Sequence, residues 1–391
     1  MSGSTERRVA EARAWIAEQG PAMEEKLAEL VRQNSYTGNV EGGNRTASLL
    51  RELFAMPGLS CETRASQRFA DHLVFRTRRV GPSLALVGHL DTVFPPGSFE
   101  GYRRDGALAR GPGVLDMKGG LVVTGMALLA LARIGALDEL ALRWIVVSDE
   151  EVGSPEGQAI IAAAALGASA GLVFEAGRAG DAVVTRRKGT GNVTALARGR
   201  AAHAGNAHER GVNAIWALAR FVDRAQSFTD YARGTTVNVG RIEGGQNRNT
   251  VPDTAKAELD MRFTSAEEAH RLLENLRAEA AAAAASVNGA RIELTGGIAR
   301  LPLERSDQSA ALYAEYAEHA RAAGLGGVES PLVGGGSDAN TLSGLGIASI
   351  DGLGPRGDGF HTQDEHIEVS SLVPKAEALT RFLLGKTGPR A

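Results

Sequence analysis

Apolar and polar positions along the chain follow two successive patterns. In the first half, short continuous apolar runs alternate with apolar segments of helical length. Leu84 to Val87, "RWIVVSD" (143–149) and "GLVFEAG" (171–177) read as strands covered on both faces. Between them, the glycine-flanked segment 119–134 and "GQAIIAAAALGA" (157–168) read as helices. This order predicts an α/β fold, a mostly parallel sheet flanked by helices, with functional residues at the carboxyl ends of strands.

From about residue 188 the pattern changes. "NVTALARG" reads as a strand, 211–227 as a helix, "TTVNVGRI" and "AKAELDMRF" as two strands, 265–286 as a helix and "ARIELTG" as a strand. The β-α-β-β-α-β order predicts a ferredoxin-like unit. After about residue 300 the α/β style resumes and ends in a helix over about 370–385. The expected organisation is one domain formed by 1–187 and 300–391, with a second, 188–299, inserted into it. The alanine run at 280–285 favours helix by propensity and carries no chemistry.

Composition bounds the rest. A chain of 391 residues exceeds what one core usually serves, which fits two domains. Apolar and charged contents of 43% and 23% are ordinary for a globular protein. A net charge of −3 gives no electrostatic case for a nucleic-acid or membrane partner. Cys61 is the single cysteine, so no disulfide forms within the chain, in keeping with a reducing compartment. "MSGSTERRVAEARAWIAEQG" lacks the apolar core of a signal peptide, and no run reaches the ~18 apolar residues of a membrane span. A cytoplasmic location is expected.

Candidate chemistry sits where the strands end. His89 and Asp91 follow the first strand at i and i+2, on one side of an extended chain, as metal-binding groups or a polar strand end. Asp149, Glu150 and Glu151 follow the second strand, and Glu175 the third. Asp116 lies in the glycine-rich "RGPGVLDMKGG", and His361 in "GFHTQDEHIE". Any one of these acids alone suits a helix cap or a solvated loop. A parallel sheet, however, brings strand ends together, and unpaired carboxylates crowded there repel unless cations intervene. Histidine with carboxylates suits zinc, with cobalt or manganese as alternatives. Rival motifs fail. "GPGVLDMKGG" has glycines and a lysine but lacks a phosphate loop's glycine before the lysine and hydroxyl residue after it, and "GGGSDAN" lacks the final glycine of a nucleophile elbow.

The segments "GHLDTVFP", "GPGVLDMKGG", "SDEEVGS", "FEAG", "RAAHAG", "GGGSDA" and "GFHTQDE" occur together and in order. From about residue 80 to the C-terminus the chain resembles the co-catalytic zinc peptidase and deacylase family. That family includes glutamate carboxypeptidase, aminoacylase, acetylornithine deacetylase and succinyl-diaminopimelate desuccinylase. "DEEVGS", "RAAHAG" and "GGGSDA" are most similar to the glutamate carboxypeptidase branch. The resemblance implies a catalytic domain holding two zinc ions and an inserted lid domain that forms a homodimer.

It also implies roles. Asp116 would bridge the ions, with His89 and Glu175 completing one site and Glu151 and His361 the other. Asp91 would orient His89, and Glu150 would be the general base. His203 would reach an active site across the dimer and stabilise the oxyanion. Arg262 would bind a substrate carboxylate, a surface ion pair being the alternative. Asn249 and the backbone N–H groups of Gly335, Gly336 and Ser337 are further substrate contacts. His208 stands where the family has proline. His72, His208, His270, His319 and His366 are read as structural. Two divalent ions bring +4 and the three carboxylate ligands −3, so one hydroxide would leave the cluster neutral. The implied reaction is hydrolysis of an amide bond in a small peptide or N-acyl amino acid, releasing a C-terminal amino acid. A deacylase or dipeptidase of the same chemistry, or a non-catalytic binding relative, are the alternatives.

Overall fold

Strands buried on both faces sit at the centre of the larger sheet, and polar ones at its edge. In the computed structural model, which describes residues 3–387, six strands build this sheet. Numbered in chain order they are β1 (Leu59–Arg64), β2 (His72–Thr77), β3 (Ser83–His89), β6 (Leu142–Val147), β7 (Ala168–Val173) and β14 (Ser349–Ile350). Their order across the sheet is β1-β2-β6-β3-β7-β14. β6, β3, β7 and β14 are parallel, while β1 and β2 extend the sheet antiparallel. β3 is buried at all of its positions, as a central parallel strand must be. β1, "LSCETR", is exposed along nearly its whole length, and its polar character suits an outer edge.

Helices flank the sheet. α4 (Lys118–Arg133) is apolar almost all round and packs against β3, α1 (Gly3–Ala17), α2 (Gly20–Arg32) and α10 (Leu372–Gly385). α5 (Gly157–Ala164) and α9 (Asp338–Gly344) pack together and against β6 and β7. α3 (Val40–Leu53) lies against α2, and α8 (Asp307–Ala322) against α10 and β14. Trp144 anchors the core, stacked on Phe75 at 4.7 Å and edge-on to Phe54 at 5.8 Å. Leu131 of α4 is fully buried, so truncating it to alanine should cost about 2–5 kcal/mol.

A small second sheet was not foreseen. β4 (Arg103–Asp105), β5 (Leu108–Arg110), β15 (Gly357–Asp358) and β16 (His366–Glu368) assemble in the order β15-β16-β5-β4. Ala109 of β5 opposes Ile367 of β16. The segment carrying Asp116 and the segment carrying His361 therefore leave one small sheet side by side.

These elements form a first unit, comprising the chain up to Arg186, Arg305–Leu332 and Ser337 onward. A second unit consists of Arg187–Glu304 with Val333–Gly336. It contains β8 (Gly189–Arg198), β9 (Ala202–His203), α6 (Ala214–Gln226), β10 (Thr236–Gly244), β11 (Thr250–Val251), β12 (Thr254–Phe263), α7 (Ala266–Ala285) and β13 (Arg291–Arg300). Its four long strands are antiparallel in the order β10-β12-β8-β13, the ferredoxin-like arrangement. β12 alternates buried and partly exposed positions, so one face packs on α6 and α7. Among the described residues no helix is long and apolar enough to cross a membrane.

Candidate metal centre

Register places the candidate ligands at one level of the larger sheet. His89 is paired with Val147, and Val87 with Val173. Glu175 thus stands two residues beyond β7, level with His89 two residues beyond Val87. Glu150 and Glu151 begin a short 3-10 turn just past β6. Asp116 arrives from the loop before α4. Gly120 permits this approach, because a Cβ there would meet the Phe174 carbonyl oxygen at 2.1 Å. His361 sits at φ 63°, a left-handed conformation uncommon for a residue with a Cβ, and follows Gly359 at φ 76°.

Asp116 is the centre of the cluster. Its Oδ1 lies 3.3 Å from His89 Nε2, and its Oδ2 lies 3.4 Å from His361 Nε2. Glu175 Oε2 is 3.7 Å from His89 Nε2, and Glu151 Oε2 is 3.1 Å from His361 Nε2. Ligand atoms bonded to one tetrahedral zinc at about 2.0–2.2 Å lie about 3.3–3.6 Å from one another. The spacing of these donors is close to that edge length. His89, Asp116 and Glu151 form one group able to hold an ion, and His89, Glu150 and Glu175 another. Both draw on His89, whereas His361 joins neither and meets the cluster through Asp116 at 3.4 Å and Glu151 at 3.1 Å. Glu175 Oε1 is buried without a hydrogen-bond partner, a state that a bound cation would relieve. The donor set fits a pair of divalent ions.

Charge crowding points the same way. Burial pushes Glu151 up to about 8, against the hydrogen bond from His361. Burial also drives Glu175 well above the usual carboxylate range, with His89 opposing and Asp116 adding to the shift. Burial acts upward on Asp116 too, but hydrogen bonds from His361 and His89 outweigh it and hold the carboxyl low. Hydrogen bonds to Asp116 and Glu151 raise His361 to about 10. Carboxylates packed this closely favour positive charge beside them, here on the imidazoles, a role that divalent ions would take over if the rings bound them as neutral ligands.

Several residues hold this arrangement from behind. The backbone carbonyl of Asp91 lies 3.1 Å from His89 Nδ1, and Asp91 Oδ1 lies 3.3 Å from it. Asp91 Oδ1 also accepts the Glu150 N–H, while Oδ2 accepts the Glu151 N–H and the Thr37 hydroxyl. One buried carboxylate therefore orients the histidine and fixes both glutamates. Asp149 instead accepts the N–H groups of Glu156 and Gly157 at the start of α5. Lys118 is fully buried and donates to the carbonyls of Leu30 and Gln33 at the end of α2. Burial lowers its ammonium to about 7. Glu365, whose carboxylate accepts the Asp116 N–H, joins Thr37 and Lys118 as a buried neighbour of the cluster whose partners no local motif marks.

The remaining candidates have other surroundings. His203 lies at the end of β9, exposed, and its Nδ1 accepts the N–H groups of Gly205 and Asn206, each at 3.1 Å. That leaves Nε2 to carry the proton and makes it a hydrogen-bond donor. Arg262 shows the ion-pair alternative: Nε and Nη2 each donate to Asp260 at 2.9 Å. Its fork is already filled by a carboxylate of its own strand. Asn249 and Gly335 are exposed and Gly336 is half-buried. The Ser337 N–H is committed to Asn340 within the cap of α9, and its hydroxyl to Asp351, so its amide serves the helix. His72, His208, His270, His319 and His366 join none of the groups able to hold an ion among the described residues. His72, for example, is buried and accepts the Ser148 N–H.

Known proteins resemble this chain in both of its units. Residues 185–288 match the peptidase dimerisation domain of the M20 type. The chain is 28% identical over 376 residues to carboxypeptidase G2 of Pseudomonas sp. strain RS-16, covering 93% of this chain and 89% of the relative. It is 28% identical over 383 residues to a succinyl-diaminopimelate desuccinylase of Cereibacter sphaeroides, covering 91% and 96%. The crystal structure of aminopeptidase PepT from Bacillus cereus has the same fold, with a TM-score of 0.77 at 22% identity over 93% of this chain and 98% of that one. The chain is therefore similar over most of its length to a carboxypeptidase and to a desuccinylase, and most of its second unit matches the M20 peptidase dimerisation domain.

Proposed function

We propose that the first unit is a two-metal amide hydrolase that releases a C-terminal amino acid from a small peptide or N-acyl amino acid. The observation that carries this reading is the divided carboxylate of Asp116, with one oxygen turned to His89 and the other to His361. His89, Asp116 and Glu175 would hold one ion, and Asp116, Glu151 and His361 the second, zinc being the ion best suited to this donor set. Two such ions would acidify water and polarise the scissile carbonyl.

The chain's own residues would do the rest. Glu150 lies with His89 and Glu175 and is held through its N–H by Asp91. Its carboxylate would take a proton from the attacking water as the oxygen bonds to the amide carbon. It would then hand that proton to the nitrogen as the C–N bond breaks, since an amide nitrogen leaves poorly unprotonated. Asp91 would keep His89 in the tautomer with Nε2 free to bind.

Similarity to carboxypeptidase G2 supports the carboxypeptidase form, and similarity over the same span to a desuccinylase supports a deacylase form. Both use one chemistry and differ in the group on the acyl side. Through its second unit the chain would form a homodimer, consistent with the dimerisation-domain match. The test is to load the protein with zinc or cobalt and offer dipeptides, N-acyl amino acids and N-acyl glutamates, assaying for free amino acid. Chelator-sensitive release from at least one class is expected. No release from any of them, with metal bound, would contradict the reading.

A further inference from the structure

Glu365 is fully buried and makes a contact set unlike that of any carboxylate in the cluster itself. Its Oε1 accepts the N–H groups of Leu115 at 2.9 Å and Asp116 at 3.0 Å, and its Oε2 accepts the Gly113 N–H at 3.0 Å. Three consecutive-turn amides of the Asp116 loop are therefore gathered on one side chain. That side chain stands four residues after His361 and immediately before β16. A loop amide buried without a partner is costly, and these three have no ladder to join. Gly113, at φ 78°, gives the loop the curvature that aims its N–H inward. Nothing in the proposed chemistry uses Glu365.

We infer that Glu365 is a positioning residue that locks the Asp116 loop to the His361 loop and so sets the distance between the shared carboxylate and the second histidine. This rests on the two-metal reading above. The physical reason is connectivity. Asp116 and His361 sit on separate irregular segments, and their 3.4 Å separation is not fixed by either segment alone. The β5–β16 pairing brings the segments together at one end. Glu365 joins them again beside the ligands, making a closed frame with Asp116 inside it. Substituting one acceptor oxygen by an amide –NH2, as in Glu365→Gln, keeps the volume but turns a donor towards a loop N–H. The frame should then open without loss of the core.

The experiment compares wild type, Glu365→Gln and Glu365→Asp with Leu131→Ala, a core variant that lowers stability without touching the loops. In the metal-free proteins, amide hydrogen exchange is read at Gly113, Leu115 and Asp116. Cobalt(II) is then added, and affinity is read by competition with a chelating dye and coordination by the visible absorption bands. Glu365→Gln is expected to speed exchange at those three amides, weaken cobalt binding by about 10–100-fold and alter the bands. Leu131→Ala should lower the melting temperature yet leave affinity and bands as in wild type. If Glu365→Gln and Glu365→Asp change affinity and bands no more than Leu131→Ala does, the inference is overturned. Failure of both to fold would overturn it as well, because the contacts would then serve the fold at large. A wild type that binds no cobalt would instead defeat the two-metal reading beneath it.

Discussion

The Thr37 hydroxyl donates to Asp91 Oδ2 at 2.8 Å, with both residues almost closed to solvent. The N-terminal segment thereby reaches the carboxylate that orients His89. Thr37→Val removes the donor and keeps the shape, so Asp91 loses one of its partners inside the protein. The change should cost about 1–2 kcal/mol of stability. It should also lower kcat by about tenfold or more with little effect on KM, since an orienting contact acts on the ligand geometry. Thermal melts and steady-state kinetics check this, and unchanged kinetics would remove Thr37 from the site.

Neighbouring glutamates should give opposite phenotypes. Glu150→Gln should retain both metals and lose about 10²–10⁴-fold in turnover, as expected for a general base. Glu151→Gln should lose metal first, because its Oε2 faces His361 and Asp116 is adjacent. Elemental analysis alongside kinetics separates the two. Since Glu150 also groups with His89 and Glu175, loss of metal in Glu150→Gln would make it a ligand instead.

Legibility in the sequence was uneven for physical reasons. β3, β6 and the buried second half of β7 declared themselves because strands buried on both faces are continuous apolar runs, whereas the more exposed start of β7 at Ala168 and Ser169 did not. His89 and Glu175 could be located because each directly follows such a run. β1 escaped because an exposed edge strand has neither an apolar run nor alternation. The small sheet escaped because its strands have only two or three residues each. Thr37, Lys118 and Glu365 share a different obstacle. Each matters through partners far along the chain, at Asp91, at Leu30 and Gln33, and at Gly113 to Asp116. Local pattern has no access to such partners. Glu365 did lie within the quoted "GFHTQDEHIE", which has no apolar run or alternation around it to mark it as buried.

Lys375 should give the fold a distinct pH dependence. It is buried, 3.5 Å from Asp181, and burial lowers its ammonium to about 8 although Asp181 opposes the shift. Between about pH 8 and its ordinary value of 10.5, the folded chain binds fewer protons at this site than the unfolded one. Its contribution therefore rises with pH across that window, by at most about 1.4 kcal/mol per pH unit. Lys375→Met should flatten this part of the curve. Denaturant melts of both proteins at pH 8 and pH 10 measure the difference, and parallel curves would contradict it.

Assembly should depend on apolar side chains of the second unit. β10 is an edge strand, with Ile242 56% exposed, and Trp216 of α6 is 55% exposed. An open edge beside exposed apolar groups suits pairing with a second copy. By light scattering the wild type should be dimeric and the double variant Trp216→Glu with Ile242→Lys monomeric. Equal masses for the two would count against this surface.

The central claim is that Asp116 is shared by two metal ions on which amide hydrolysis depends. The most direct measurement is metal content set against activity during reconstitution of chelator-stripped protein. Activity should be absent without metal, return on adding zinc or cobalt, and reach its maximum at about two ions per chain. Asp116→Ala should bind neither ion tightly and remain inactive. Full amide-hydrolysing activity in the stripped protein, with no metal detectable, would contradict the account.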